Sequence, residues 1–181
     1  MLIDTFISLI PLACLVLLVC VVGIISILWT DLKGAPYVAT PRRTARRMLE
    51  LAEVSPEDVV YDLGSGDGRL LWLAVQKFGA RAVGIEIDPL RYAWTKLLIR
   101  FKGLQGQVEV IRADFFGVDL SAASVVTAYL LRDTNRKLMA KLEQELPAGA
   151  RVVSRKYIFP DWNLIHEDPV EELYVYRIAK N

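Results

Sequence analysis

Residues 59–69 read Val-Val-Tyr-Asp-Leu-Gly-Ser-Gly-Asp-Gly-Arg, an apolar run that leads into an acid and then into three glycines at alternate positions. A short, Val-rich run of this kind is typical of a buried strand in a parallel sheet. Gly64, Gly66 and Gly68 are able to take positive φ values, and without a Cβ they let a ligand approach the backbone. Because ligands of parallel α/β sheets bind beyond the carboxyl ends of the strands, the sequence predicts a ligand site at this turn.

The spacing of the glycines indicates the kind of ligand. A dinucleotide-binding turn has the pattern Gly-x-Gly-x-x-Gly, which requires a third glycine at position 69, and this chain has Arg69 there. Asp62, directly before the turn, suits a ligand that carries an ammonium and a sulfonium group and no phosphate. The pattern predicts an S-adenosylmethionine site that is built on Asp62, Gly64, Ser65, Gly66, Asp67 and Gly68. A glycine-rich turn that binds no ligand is the alternative.

A second acid follows the next predicted strand. Glu86 closes that strand 24 residues after Asp62, where a carboxylate is placed to accept hydrogen bonds from both ribose hydroxyls. Asp88 competes for this role, but its position directly before Pro89 favours the capping of a helix. Ile87, between the two acids, is expected to form an apolar wall for the adenine.

Asp114 and Phe115 follow the third predicted strand. We expect Asp114 to accept a hydrogen bond from the adenine amino group and Phe115 to cover the ring, although plain core packing of Phe115 is an equal alternative. No set of carboxylates clusters beyond the fourth strand, so we predict no metal site. His166, the only histidine, lies near the chain's end and suits a structural role better than that of a general base.

Apolar runs alternate with helical patterns along the chain, which predicts an α/β fold with one Rossmann-like, doubly wound, seven-stranded sheet. A helix is expected to begin with Thr40 as its N-cap and Pro41 as its first residue. Two final runs without a helix between them predict an antiparallel hairpin at the edge of the sheet. The expected strands are 59–63, 82–86, 108–111, 125–131, 151–158, 162–166 and 173–178, with a helix at 136–146.

The N-terminal segment has 26 consecutive uncharged residues, from Thr5 to Thr30. This length exceeds the roughly 20 apolar residues that a helix needs to cross a bilayer. A cleaved signal peptide is the alternative, but it would have a positive n-region and a shorter apolar run. We therefore expect a transmembrane anchor over residues 1–30, a basic connector and helix over 31–54, and the S-adenosylmethionine-binding domain over 55–181.

Basic residues follow the expected anchor, which predicts by the positive-inside rule that the domain lies on the cytosolic side of a membrane, or on the organellar equivalent. They are Lys33, Arg42, Arg43, Arg46 and Arg47. The four arginines are also candidates for binding anionic lipid headgroups, with an ordinary solvated helix face as the alternative.

The charge and cysteine content bears on the chemistry. Beyond residue 30, 22 basic and 20 acidic side chains leave a formal net charge of +2, which favours no nucleic-acid partner. Cys14 and Cys20 both lie in the expected anchor, so the domain has no cysteine nucleophile of the kind that methylation of cytosine C5 requires.

Four segments taken together resemble a known family: Pro36–Pro41, Asp62–Arg69, Gly84–Glu86 and Leu146–Val153. Their order and spacing are similar to those of the small, membrane-anchored, seven-β-strand (class I) protein lysine methyltransferases that act on adenine nucleotide translocase and on ATP synthase subunit c. The resemblance implies that the segment before the first helix folds over the cofactor, with Tyr37 and Thr40 in contact with it. The chain departs from the family at Ala39 and Arg132, where many relatives have proline.

The resemblance implies a tethered methyltransferase that N-methylates lysine of a membrane-associated protein. Tyr129, at the end of the fourth strand, is our candidate to line the acceptor channel and accept a hydrogen bond from the amine; a half-buried strand tyrosine is the alternative. Asp161 and Trp162 are candidates for the opposite lip. A small-molecule or lipid methyltransferase and a catalytically silent S-adenosylmethionine-binding module remain rival functions.

Overall fold

The computed structural model describes residues 10–18, 20, 21, 23 and 38–179. The chain divides into two units, residues 1–37 and 38–181. The described residues of the first unit are helical. Most of the predicted anchor, and Tyr37, lie outside the described residues. Within the described ranges, none of the helices combines the length and the apolar character that a membrane crossing needs.

The second unit is built on a mixed seven-stranded sheet with the strand order β3-β2-β1-β4-β5-β7-β6. The first five strands are parallel, and β7 runs antiparallel to both β5 and β6. This confirms the doubly wound α/β sheet and its terminal hairpin. The elements are α1 (Arg42–Leu51), β1 (Val59–Leu63), α2 (Arg69–Phe78), β2 (Arg81–Glu86), α3 (Pro89–Phe101), β3 (Val108–Arg112), a 3₁₀ turn (Phe115–Gly117), β4 (Val125–Ala128), α4 (Arg132–Glu145), β5 (Arg151–Arg155), β6 (Leu164–Asp168) and β7 (Leu173–Arg177).

Two strands end three residues earlier than predicted. β4 ends at Ala128 because Leu131 is already the N-cap of α4, where its carbonyl accepts a hydrogen bond from the amide of Asn135 at 2.9 Å. β5 ends at Arg155 because Lys156 takes a φ of +69° and leaves the strand conformation. The predicted helix start at Thr40 is also wrong by one residue. Pro41 is the N-cap of α1, and its carbonyl accepts the first helical bond from Ala45 at 2.9 Å.

Helices cover both faces of the sheet, each with its own apolar cluster. α1, α2 and α3 pack on one face, where their buried side chains join alternate strand residues such as Val60 and Val125. α4 packs on the other face, against the intervening residues such as Tyr61 and Val126. Because Ala45 and Met48 of α1 belong to the first cluster, the helix that precedes β1 is part of this core.

The register of the parallel strands brings their carboxyl ends to one edge of the sheet. Leu63, the last residue of β1, lies opposite Ile85 of β2 and Ala128 of β4. The residues that follow these three strands therefore meet at the same edge, where ligands of such sheets bind.

Candidate functional site

The glycine turn between β1 and α2 takes a conformation that requires its glycines. Gly64, Gly66 and Gly68 have φ values of +77°, +57° and +75°. Gly68 is constrained a second time, because a Cβ there would lie 2.7 Å from Cζ2 of Trp72 and 2.8 Å from Cγ2 of Thr95. The structure thus confirms a tight, left-handed turn at the position where the sequence predicts one.

Two residues to which the sequence analysis gave no role in the site shape this turn. The hydroxyl of Thr95, on α3, donates to the carbonyl of Gly66 at 3.1 Å in a buried contact. A Cβ at Gly84, in the middle of β2, would lie 2.6 Å from Oγ of Ser65, so this glycine makes room for the turn. A glycine inside a buried strand is itself a signal of close backbone approach and marks Gly84 in the sequence. The sequence has no comparable signal for Thr95.

Glu86 lies beside the turn with its carboxylate fixed by two backbone amides. Its side chain is buried, Oε2 accepts from the amide of Gly66 at 2.8 Å, and Oε1 accepts from the amide of Asp88 at 2.8 Å. A carboxylate has about four acceptor sites, so two remain for the ribose hydroxyls. Asp88 instead accepts from the amides of Leu90 and Arg91 at 2.9 and 2.8 Å, which confirms its predicted role as a helix cap.

Asp62 is buried at the end of β1, opposite Thr127 of β4. Its Oδ1 accepts a hydrogen bond from the Thr127 hydroxyl at 2.8 Å. Burial raises the pKa of Asp62 to about 7, and the negative charges of Glu86 and Asp67 act in the same direction, while the Thr127 bond opposes them. A bound cation would favour the ionised carboxylate, so the site suits a positively charged ligand.

Asp67 and Thr40 are joined through Arg69. The guanidinium of Arg69 donates from Nε to Oδ1 of Asp67 at 2.9 Å and from Nη1 to the carbonyl of Thr40 at 2.6 Å. This bridge holds the segment before α1 next to the glycine turn. The contact of Thr40 with the cofactor, which the family resemblance implies, stays a prediction.

The remaining predicted cofactor residues follow β2 and β3. Ile87 is half-buried between Glu86 and Asp88. Asp114 is exposed, and its Oδ1 accepts from the amide of Phe116 at 3.0 Å, which begins the 3₁₀ turn. Phe115 is half-buried and packs on the apolar cluster of the second sheet face. All three lie at the predicted edge, and their contacts with adenine stay predictions.

Tyr129 follows β4 directly and is half-buried. The guanidinium of Arg155 lies 4.5 Å from the centre of its ring. The next residue, Leu130, is 3.8 Å from the Cβ position of Gly64, so this segment borders the glycine turn. Arg155 is a neighbour of Tyr129 that the sequence analysis missed, because the contact joins two strands.

Behind this pair, Asn135 of α4 is fully buried and donates to Oγ of Ser154 at 3.1 Å and to the carbonyl of Tyr157 at 2.9 Å. Among the described residues, Oδ1 of Asn135 and Nε and Nη1 of Arg155 are buried atoms without a hydrogen-bond partner.

Trp162 stacks on Phe159 at 4.7 Å and donates to Glu143 of α4. These contacts tie Trp162 to an aromatic cluster, and its place as a lip stays a prediction, as does that of Asp161.

Three of the four α1 arginines that we proposed as lipid contacts have acidic neighbours in the structure; the fourth, Arg42, is exposed. Nε of Arg43 lies 3.3 Å from Glu171, Nε of Arg46 lies 2.7 Å from Glu50, and Nε of Arg47 lies 2.8 Å from Asp168. Exposed pairs of this kind stabilise a protein by about 0–1 kcal/mol, so lipid headgroups are able to compete for these arginines.

Among the residues described, no group of three or more His, Cys, Asp and Glu side chains is arranged to hold a metal ion.

The side chains at this edge fit S-adenosylmethionine. Glu86 has acceptor capacity for a ribose, Asp62 favours a cation, and the glycine turn brings backbone within reach of a ligand. Within the part of the chain that is described, Oγ of Ser65 is a buried hydroxyl that lacks a partner. Such an atom is costly to bury unless a ligand or water satisfies it.

Comparison with known proteins identifies the family. Residues 62–166 match the model of the ANTKMT methyltransferase domain. The chain belongs to this family. It is 42% identical over 153 residues to a protein-lysine N-methyltransferase of Saccharolobus islandicus, which covers 81% of this chain and 95% of that protein. It is 37% identical over 128 residues to the adenine nucleotide translocase lysine N-methyltransferase of Mus musculus, over 70% of this chain and 55% of that protein's length.

A solved structure has the same fold. An RNA methyltransferase from Salinibacter ruber in complex with S-adenosyl-L-homocysteine superposes with a TM-score of 0.77 and 40% identity, over 80% of this chain and 95% of that one. Together these matches show that the protein is an S-adenosylmethionine-dependent methyltransferase of the protein-lysine methyltransferase family.

When bound, the cofactor would supply an electrophilic methyl group on a sulfonium. An acceptor would attack this methyl group in line as its bond to sulfur breaks and S-adenosylhomocysteine leaves, so orientation is the main task of the protein. When the cofactor is bound, Glu86 would hold the ribose, the glycine turn would support the methionine portion, and Asp62 would offer a negative charge to the ammonium.

Asp62→Asn is expected to stabilise the cofactor-free protein at pH 8. The folded protein keeps the Asp62 proton up to a pH of about 7, whereas an unfolded chain releases it near 3.8. The free energy of unfolding therefore falls as the pH rises between these values, by roughly 4 kcal/mol at about 1.4 kcal/mol per pKa unit. Thermal melts should show a clear gain in Tm for the variant at pH 8 and a smaller one at pH 5.5. An equal gain at both pH values would contradict the assigned titration.

Proposed function

We propose that the protein N-methylates a lysine side chain of a membrane-associated protein while its N-terminal segment tethers it to the membrane. Lysine as the acceptor is supported by the 42% identity to a protein-lysine N-methyltransferase along 95% of that relative's length. The tether rests on the 26 uncharged residues from Thr5 to Thr30. The basic residues that follow this segment support placement of the domain on the cytosolic side, or on its organellar equivalent.

A lysine acceptor must lose its proton before it reacts. With an ordinary pKa of about 10.4, a neutral amine at pH 7 costs roughly 4.6 kcal/mol. The guanidinium of Arg155, 4.5 Å from the ring centre of Tyr129, disfavours a second positive charge beside it and lowers this cost. In this proposal the Tyr129 hydroxyl accepts a hydrogen bond from the amine, which directs the amine lone pair at the methyl group.

The test is incubation of the purified full chain with methyl-labelled S-adenosylmethionine and native membranes to which total RNA has been added. Label in a protein band that amino-acid analysis assigns to methyllysine supports the proposal. Label in the lipid extract or in RNA overturns it and identifies the acceptor class. The RNA arm is included because a relative of similar identity is an RNA methyltransferase.

Tyr129→Phe provides the second arm of this test. We expect the rate of lysine methylation to fall about 10–100-fold, as for one hydrogen bond of 1.5–3 kcal/mol lost in the transition state, with binding of S-adenosylhomocysteine unchanged. Tyr174→Phe, a half-buried tyrosine of β7, is the matched control and should retain the full rate. An unchanged rate for Tyr129→Phe would remove this residue from the acceptor site.

A further inference from the structure

The outward face of α3 carries an apolar stripe. The stripe consists of four large, exposed side chains: Leu90 (43% exposed), Trp94 (55%), Leu97 (46%) and Phe101 (78%). At about 100° per residue, their spacing of four, three and four places them in one line along the helix. This line lies opposite Thr95 and Ile99, which are buried against the sheet. Contiguous exposed apolar side chains of this size mark an interaction surface.

Basic residues flank this stripe on both sides. Lys96 and Arg100 lie on one side of the helix, and Lys102 lies on the other. Arg91 is on the same side as Lys102, but its side chain is only 18% exposed and lies 3.9 Å from the carboxylate of Asp88. Residues 89–101 contain no acidic side chain, and Asp88, which caps the helix, is fully buried. The face is therefore apolar along its centre and positively charged along its margins.

We propose that this face of α3 lies on a membrane that contains anionic lipid, with the stripe buried among the upper acyl chains and the basic residues in contact with headgroups. Helices with Trp, Phe and Leu on one line and Lys or Arg beside it lie at this depth, about 5–10 Å into the boundary. Trp94 is the residue type most enriched there. The positive margins suit anionic headgroups, each basic residue contributing about 1 kcal/mol near such a surface.

The position of α3 connects this surface to the cofactor site. Asp88 caps the helix and also donates its amide to Glu86, so the stripe begins at the carboxyl edge of the sheet. A membrane against this stripe brings the cofactor edge to the bilayer surface.

The proposal extends the membrane tether proposed above but rests on the side chains of α3 alone. The two therefore need separate readouts. Flotation of the full chain with vesicles reports on attachment by any route, and quenching of Trp94 by lipid bromine atoms reports on α3 only.

The experiment reconstitutes the full chain into vesicles made of equal parts phosphatidylcholine and phosphatidylglycerol, with or without bromine on the phosphatidylcholine acyl chains. The contribution of Trp94 is the difference in fluorescence quenching between the parent and Trp94→Phe. Trp162→Phe is the matched control, because Trp162 packs with Phe159 and Tyr176 on the other sheet face. We expect bromine quenching to drop in Trp94→Phe and to persist in Trp162→Phe.

Two further variants make the test quantitative. The double variant Lys96→Gln with Arg100→Gln should weaken docking of the α3 face on the membrane. We expect the docking constant to fall about fivefold for each charge removed, which corresponds to about 1 kcal/mol per basic residue. Leu97→Ser with Phe101→Ser should abolish quenching of Trp94 while the chain still floats. The proposal would be overturned if the chain floats with the vesicles while Trp94 is quenched by aqueous acrylamide and not by lipid bromine. That result would leave the tether intact. A third result would assign the face to a second copy of the chain. In that case Trp94 would be insensitive to bromine, and its shielding from acrylamide in vesicles without bromine would increase with protein concentration.

Discussion

Glu86→Gln is expected to weaken the binding of S-adenosylhomocysteine about a hundredfold. The carboxylate of Glu86 accepts from the amides of Gly66 and Asp88, both at 2.8 Å, and has acceptor sites left for ribose. The amide group of Gln keeps the size of the side chain but has only one oxygen, so at least one of these two backbone donors loses its acceptor. Hydrogen bonds to a charged group stabilise by about 1.5–3 kcal/mol, and 1.4 kcal/mol corresponds to a factor of ten.

Calorimetry with S-adenosylhomocysteine measures this effect directly. Glu109→Gln is the matched control, because Glu109 is the same residue type on the neighbouring strand β3 and is exposed. Its affinity should equal that of the parent. If Glu86→Gln bound as tightly as the parent, the ribose site would have to be moved away from β2.

The parts of the site that follow local rules were predictable from the sequence. Glycines at 64, 66 and 68 point to a left-handed turn because few other residues tolerate such φ values. Asp88 before Pro89 predicts a capped helix, which separates its role from that of Glu86. The alternation of strands and helices predicts the sheet, since each pattern has its own period.

The contacts that hold the site were not predictable, because they join residues that are far apart in the chain. The hydroxyl of Thr95 binds the carbonyl of Gly66, 29 residues away, and Thr127 binds Asp62, 65 residues away. Arg155 meets Tyr129 only because β5 pairs with β4. The early end of β4 was missed for a related reason: residues 129–131 are apolar and continue the strand pattern, while α4 already begins at Arg132.

Gly68→Ala is expected to lower the free energy of unfolding by about 2–5 kcal/mol and to abolish cofactor binding under conditions where the parent is saturated. Two costs combine at this position. A φ of +75° costs an alanine about 1–2 kcal/mol. The new Cβ would also lie within 2.7 Å of Trp72 and 2.8 Å of Thr95, and overpacking of this kind costs about 1–3 kcal/mol. Because Thr95 also holds the carbonyl of Gly66, its displacement would move the turn that binds the cofactor.

Gly106→Ala separates these two costs. Gly106 has a φ of +83°, yet a Cβ there would meet nothing within 4 Å. This control should therefore carry only the backbone cost of about 1–2 kcal/mol and leave cofactor binding intact. Urea unfolding and calorimetry with S-adenosylhomocysteine measure both quantities for the two variants. If Gly68→Ala and Gly106→Ala lost the same stability, the backbone strain alone would account for Gly68, and the close packing of Trp72 and Thr95 around the turn would have no energetic part in shaping the site.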